Sequence, residues 1–336
     1  MGGGRWSNDV FTSSKRGLAA FDYDRDTRSR PREQWKIYKM LDPKGLKIRE
    51  SRDSEEHPDS NAIAVGLDVT GSMRDVVVAI QQSLGKLMAM LLTGNFVNDP
   101  QLLFYAVGDA TCDTIPFQVS QFESDNRINE QITKIILEGG GGGQMTESYE
   151  LGFYFAARHT SIDCWEKRQR KGYLFSIGDE MPYPNVNARE VKEVFGADLA
   201  ENIPTSRVVK EVQERYHMFH IIPAGSANFN VSGVYNAWVK YLGDARRVFR
   251  LADPEAACDL IAVIIGLTEG KLTLEQAVGM INEKNGIRAS FSLKGALEEY
   301  AKLLKAEPKP APSKTKSKDA PTSPKKDGAP DEPWRL

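Results

Sequence analysis

Residues 61–75 read NAIAVGLDVTGSMRD, and this stretch decides the fold. The first part, NAIAVGLDV, is a short, nearly continuous apolar run. Bounded by turn signals, such a run predicts a strand buried on both faces, as in a parallel sheet. It breaks at a polar turn that begins with Asp68. A helix is expected next, because Val76, Ile80, Leu84, Leu87 and Leu91 recur at helical spacing until Thr93-Gly94 stops them.

The alternation continues outward from this unit. QLLFYAVGD (101–109), GYLFSIGDE (172–180), YHMFHIIPAG (216–225) and ARRVFRLAD (245–253) read as further strands, and Thr114 to Val119 as a short one beside the first of them. Helices are expected at 122–137, 147–158, 188–195, 206–215, 234–241 and 254–267. Strands alternating with helices predict an α/β fold: a doubly wound, mostly parallel central sheet with helices on both faces. This domain spans residues 61–268. Residues 1–60, polar and rich in Arg and Asp, are expected to form an extended N-terminal arm with one short helix near Glu33 to Leu41. Residues 269–305 read as a C-terminal helical extension of one or two helices. Residues 306–336, dominated by Lys, Pro and Ser, are expected to be a disordered tail.

Composition narrows the function. The 336 residues carry Lys+Arg 44 against Asp+Glu 46, a net charge of -2, so no global field recruits nucleic acid or an anionic membrane. Specificity must come from a local site. The start, MGGGRWSNDVF, lacks the apolar core of a signal peptide, and the longest apolar run, near Leu260 to Leu267, is too short to span a bilayer. Cys112, Cys164 and Cys258 provide neither a disulfide framework nor a CxxC zinc motif. A cytoplasmic location is the expectation.

In a doubly wound sheet, ligands gather at the carboxyl ends of the strands. Three loops there carry oxygen-bearing side chains: Asp68-Val69-Thr70-Gly71-Ser72, the segment 139–148 with its five glycines and Thr146, and Ser176-Ile177-Gly178-Asp179-Glu180. A carboxylate and two hydroxyls spaced i, i+2, i+4 on a turn can converge on one point. Such donors suit a hard cation, Mg²⁺ first and Mn²⁺ or Ca²⁺ as alternatives, whereas soft metals would want His or Cys.

Asp68-x-Thr70-x-Ser72 after a buried strand resembles the metal-ion-dependent adhesion site of von Willebrand factor A domains, and the order and rough spacing match over about residues 61 to 267. Thr146 stands where that family places a second-loop threonine, and Asp179 where it places a third-loop aspartate. The resemblance implies that Thr70 and Ser72 bind the metal directly, that Thr146 joins them when a ligand is bound, and that Asp68 and Asp179 act largely through water. It implies a protein-interaction module rather than an enzyme, with an acidic residue of a protein partner completing the shell. Intracellular prokaryotic members of the family often work beside MoxR-type AAA+ ATPases. In the second loop, Gln144 and Glu147 remain alternatives to Thr146. Asp109 points toward the same crevice and is a candidate for a second cation or a hydrogen bond.

Other readings stand beside this one. Asp68, Thr70 and Ser72 by themselves would serve as a helix cap. The glycine run lacks the Gly-Lys-Ser/Thr ending of a phosphate-binding loop. His217 and His220, three apart on a strand, face opposite sides and cannot share a metal. A metal-dependent hydrolase or phosphatase could use Asp68 and Asp179 at the same crevice, and a scaffold with a vestigial site would bind no cation at all.

Overall fold

The computed structural model describes residues 4–140 and 143–306, with nothing said of the side chains of Ser72 and residues 282–292. The expected disordered tail lies, from residue 307 on, outside the described residues.

Six strands form the central sheet: β1 (Asn61–Asp68), β2 (Pro100–Val107), β3 (Phe117–Val119), β4 (Gly172–Ile177), β5 (Tyr216–Pro223) and β6 (Val248–Leu251). Their spatial order is β6-β5-β4-β1-β2-β3. All neighbours run parallel except the short edge strand β3, which is antiparallel to β2. The chain enters at the middle, winds out to one edge, and returns to β4 on the other side of β1. That reversal between β1 and β4 opens a crevice at their carboxyl ends, which is where Asp68 emerges.

The helices that cover the two faces include α1 (Arg74–Thr93), α2 (Tyr149–Arg158), α3 (Thr205–Arg215), α4 (Ser232–Leu242), α5 (Ala257–Thr268) and α6 (Leu274–Ala306). Alternate strand residues face opposite ways. Ile63, Val65 and Leu67 pack into one core with α1, α5 and α6, while Ala62 and Ala64 pack into the other with α2, α3 and α4. Every strand residue of β1 is buried, which is why its sequence is a run rather than an alternation. The predicted stripe on α1 (Val76, Ile80, Leu84, Leu87 and Leu91) is buried along its whole length. Each such side chain contributes about 1.5–3 kcal/mol by leaving water.

Several expectations are corrected. By length and composition, α1 rather than the 260–267 run is the described helix apolar enough to cross a membrane, and here it packs against the sheet and α5. Residues 4–60 are not an extended arm. They form short helices at Asn8–Ser13 and Asp22–Arg28, bury Phe11 and Phe21 in the core shared with α1, and pair Arg49–Ser51 in parallel with Thr160–Ile162. The helix expected over 122–137 is reduced to Arg127–Ile132. The Gln118 side chain holds Ile136 by both its N–H and its carbonyl, at 2.9 Å each, and this draws the following segment out of helical geometry. The C-terminal extension, expected as one or two helices, is one, α6, which carries Tyr300 onto Phe219 of β5 at a ring separation of 5.4 Å.

Candidate metal centre

The register of β1 against β4, with Leu67 opposite Ile177, brings the loops that follow them level with each other. Asp68 is fully buried at the end of β1. Its Oδ1 accepts from the Thr70 amide at 2.9 Å and the Thr70 hydroxyl at 2.5 Å, and its Oδ2 accepts from the Tyr149 hydroxyl at 2.6 Å. Burial pushes the Asp68 carboxyl up to about 6; the bonds from Thr70 and Tyr149 oppose that rise and the Asp179 charge adds to it. Thr70 is itself buried, so the first two members of the Asp-x-Thr-x-Ser motif face each other inside the crevice. Ser72 lies on the same turn, within Gly71–Met73, but its side chain is outside the description.

Asp179 is also buried, two residues past the end of β4, and its Oδ2 accepts from the Asn228 amide at 2.8 Å. Gly178 explains how the third loop comes so close. A Cβ there would sit 1.9 Å from the Tyr149 hydroxyl and 2.9 Å from the Asp68 Cβ, so only a bare backbone fits. Trp238 of α4 braces the same region: its ring nitrogen donates to the Glu180 carbonyl at 2.8 Å, and its ring meets Tyr149 edge-on with centroids 5.1 Å apart.

The glycine-rich loop is tied to the first loop by its backbone. Gly139 donates to the Val69 carbonyl and Gly71 donates to the Gly140 carbonyl, each at 3.2 Å. Further on, Thr146 and Glu147 pair with Met181 and Pro182, so the second loop lies directly beside the third. The three second-loop alternatives now part ways. Gln144 is exposed and its amide nitrogen donates to Asp109 at 2.8 Å and to the Tyr183 hydroxyl at 2.9 Å. Thr146 is half-buried beside the same Tyr183 phenol. Glu147 is 1% exposed, and its carboxyl shares a hydrogen bond with that of Glu180.

Asp109 takes the hydrogen-bonding role rather than that of a bare ligand. It accepts from the Thr111 amide and hydroxyl at 2.8 and 2.7 Å, from Gln144, and from the Tyr183 hydroxyl at 3.0 Å. His217 and His220 do point to different environments on β5: His220 is buried and stacks on Trp238 with centroids 3.4 Å apart, while His217 lies beside Tyr173.

The donor types, carboxylates and a hydroxyl, are those a hard divalent cation takes, while among the described residues no three Asp, Glu, His or Cys side chains stand close enough together to enclose one. Carboxyl groups of Asp68, Glu147, Asp179 and Glu180 and the Thr70 hydroxyl all come from the three loops around this crevice, and the buried Glu147 carboxyl lies against that of Glu180. Glu147 and Glu180 both have carboxyls raised above the ordinary range, by burial first and then by the surrounding acids, beginning with Asp68. The nearest basic residue in the motif, Arg74, is turned away to Asp24 at 3.1 Å. Tyr149, Asn228 and Asp24 were missed in the sequence, and Glu180 was named there only as part of the third loop. Glu180 adjoins Asp179 and Tyr149 adjoins the Thr146 segment, but neither position has a pattern that marks it.

The chain matches no protein-family model and none of the curated proteins. Among solved structures it is similar to the pilus adhesin SpaC from Lactobacillus rhamnosus GG, with 9% identity, 65% of this chain and 31% of that chain covered, and a TM-score of 0.45. It is similar to a protein described as von Willebrand factor type A from Catenulispora acidiphila, with 11% identity, 63% and 43% coverage, and a TM-score of 0.37. A third is the conserved hypothetical protein BatB from Bacteroides thetaiotaomicron, with 10% identity, 67% and 100% coverage, and a TM-score of 0.34. The chain thus spans about a third of the pilus adhesin's length. The doubly wound fold itself rests on the strand order described above.

Proposed function

We propose that this chain is a protein-interaction module that holds a divalent cation, Mg²⁺ or else Mn²⁺ or Ca²⁺, at the carboxyl ends of β1 and β4. Asp68, Thr70, Ser72 and Asp179 would hold the ion, with a further ligand from Thr146–Glu147. When bound, the cation would supply a coordination position for an acidic residue of a partner protein, and an AAA+ ATPase of the MoxR type is one partner class to test. The observation that supports this reading is the gathering of the buried Asp68, Glu147 and Asp179 on three separate loops. Carboxyls buried this close together are held protonated, as burial and the neighbouring acids hold Glu147, and a bound cation would let them ionise.

The chain's own groups have separable tasks. The Asp68 carboxylate is oriented by Thr70 and Tyr149, and Asn228 orients Asp179. Trp238 and Gly178 hold the loops at contact distance. The test is calorimetric titration of Mg²⁺ and Mn²⁺ into wild type and Asp68→Ala, beside affinity purification of both with and without EDTA. Cation heat and a co-purifying partner that both vanish in Asp68→Ala are expected. Absence of cation heat in the wild type, or a partner indifferent to EDTA and to the substitution, would overturn the proposal.

A further inference from the structure

Beside the crevice runs a groove of about 570 Å³, lined by residues of the N-terminal segment between Trp35 and Lys44, by the start of β3, and by the helix Ala188–Phe195. Ligand sites commonly have volumes of about 300–1,000 Å³. The loop after β2 joins groove to crevice: Ala110 and Asp113 line the groove, the Ala110 amide donates to the Ser148 hydroxyl at 2.9 Å, and a Cβ on Gly140 would run into the Asp113 carboxyl.

The charges along the groove differ in how they are engaged. Lys36, Lys39 and Lys44 are exposed, and among the described residues none of them is in an ion pair. The acids are held by the chain itself. Asp42 accepts from the Lys44 amide at 2.9 Å, Glu193 pairs with Arg189 at 2.8 Å, and Asp113 accepts from the Asp109 amide at 2.8 Å. Burial raises the carboxyls of Asp113 and Glu190 above the ordinary range and so weakens their charge. Trp35 supplies a fixed aromatic wall: its ring nitrogen donates to the Arg30 carbonyl at 3.0 Å, and the Arg32 guanidinium lies over its ring at 5.3 Å. On β3, the bonds from Gly108 to the Pro116 carbonyl and from Ser120 to the Phe104 carbonyl fix which residues face β2. In an antiparallel pair every second residue turns its N–H and C=O the other way, so Phe117 turns both away from β2, on the edge of the sheet.

We propose that this groove docks an extended, acidic segment of a partner protein, with apolar side chains between its carboxylates. The three lysines meet the carboxylates, and Trp35, Ile115 and Phe117 meet the apolar side chains. The edge at Phe117 pairs with the segment's backbone, as extended peptides do when they add to a sheet. A nucleic acid would answer the lysines but carries no backbone N–H and C=O for that edge. This docking surface is separate from the cation site proposed above and does not depend on it.

The test is fluorescence anisotropy on the full chain with a short fluorescein-labelled peptide alternating Glu and Val. A Lys–Val peptide and an oligo-dT of equal charge serve as comparisons. Wild type should bind the Glu–Val peptide in preference to both, and more weakly as salt rises, because exposed pairs are screened. The triple variant Lys36→Glu, Lys39→Glu, Lys44→Glu should lose about tenfold or more in affinity, since each exposed pair contributes little but three act together. Lys210→Glu, which reverses an exposed lysine on α3, should bind as wild type. All four lysines are exposed, so melting temperatures should stay close to wild type. Binding of the Glu–Val peptide should be the same in EDTA and in Asp68→Ala, which separates the groove from the cation site. No binding by wild type, unchanged affinity in the triple variant, or an equal loss in Lys210→Glu overturns the proposal. So does tighter binding of oligo-dT than of the Glu–Val peptide, which would make this a nucleic-acid surface. Loss of the peptide in EDTA or in Asp68→Ala would place it at the crevice and overturn the groove as well. Failure of the cation titration leaves the groove standing.

Discussion

Tyr149, the first residue of α2, donates its hydroxyl to Oδ2 of Asp68 at 2.6 Å, across 81 positions of sequence. The bond leaves Asp68 with both oxygens engaged, Oδ1 by Thr70 and Oδ2 by Tyr149, and so with one orientation. Tyr149→Phe removes the hydroxyl and little else. It is expected to weaken Mg²⁺ or Mn²⁺ binding about 10–100-fold, as loss of outer-shell partners does elsewhere, with the melting temperature of the cation-free protein changed little by comparison. Calorimetric titration beside a thermal melt checks both.

Gly178→Ala tests the close approach of the third loop. The added methyl would collide with the Tyr149 hydroxyl and press on Asp68, so the loop must withdraw. Overpacking of this kind typically costs about 1–3 kcal/mol, and the withdrawn loop should also lose cation affinity. Urea denaturation together with a Mn²⁺ titration reads the two effects, and a variant with wild-type values for both would contradict the packing described.

Asp24 connects the N-terminal segment to the site. One of its oxygens accepts from the Leu137 amide at 2.9 Å, just before the glycine run, and the other from Arg74, just after the motif. Arg28, one helical turn on, donates to the Leu137 carbonyl. Asp24→Ala leaves the Leu137 amide buried without a partner and is expected to cost about 1–3 kcal/mol. Cation binding should weaken with it, since two site loops lose a common anchor. Urea midpoints and Mn²⁺ affinity in this variant provide the check.

Acid sensitivity should come partly from β5. Desolvation, then the charges of Arg247 and Lys171, lowers His217 to about 3. Burial holds His220 well below the ordinary imidazole range, against a smaller opposing pull from the Gly178 and Ser176 backbone. Both bases take up a proton more readily when the chain unfolds. Their contribution to stability is therefore fully present above about pH 6.5 and is lost as pH falls from there toward their folded values. Each steepens the loss by up to about 1.4 kcal/mol per pH unit. The urea midpoint of His217→Gln, compared with wild type between pH 6.5 and 4.5, should fall less steeply by about one proton. Parallel curves would refute the assignment.

Much of the fold can be read from β1 outward. A fully buried parallel strand must be apolar at nearly every position, and a helix covering it must carry a stripe, so residues 61–93 announce both. The reading fails where polar side chains rather than apolar ones decide the backbone. Gln118 unwinds the end of the 122–137 segment with two hydrogen bonds that no periodicity reports. The N-terminal sixty residues look like an arm because their few large apolar residues, Phe11 and Phe21 among them, are isolated in polar surroundings.

By itself, the sequence determined the strand that ends on Asp68, the polar turn with Thr70 and Ser72, and the later loops bearing Thr146 and Asp179, because each belongs to a local pattern of burial and turn chemistry. Only the tertiary structure decided which side chains share the crevice with Asp68. The alternation of an extended two-residue pairing turns Glu147 inward beside the third loop, α2 brings Tyr149 across to Asp68, and the N-terminal segment reaches both loops through Asp24. Those relations depend on contacts between residues far apart in the chain, and no local spacing encodes them.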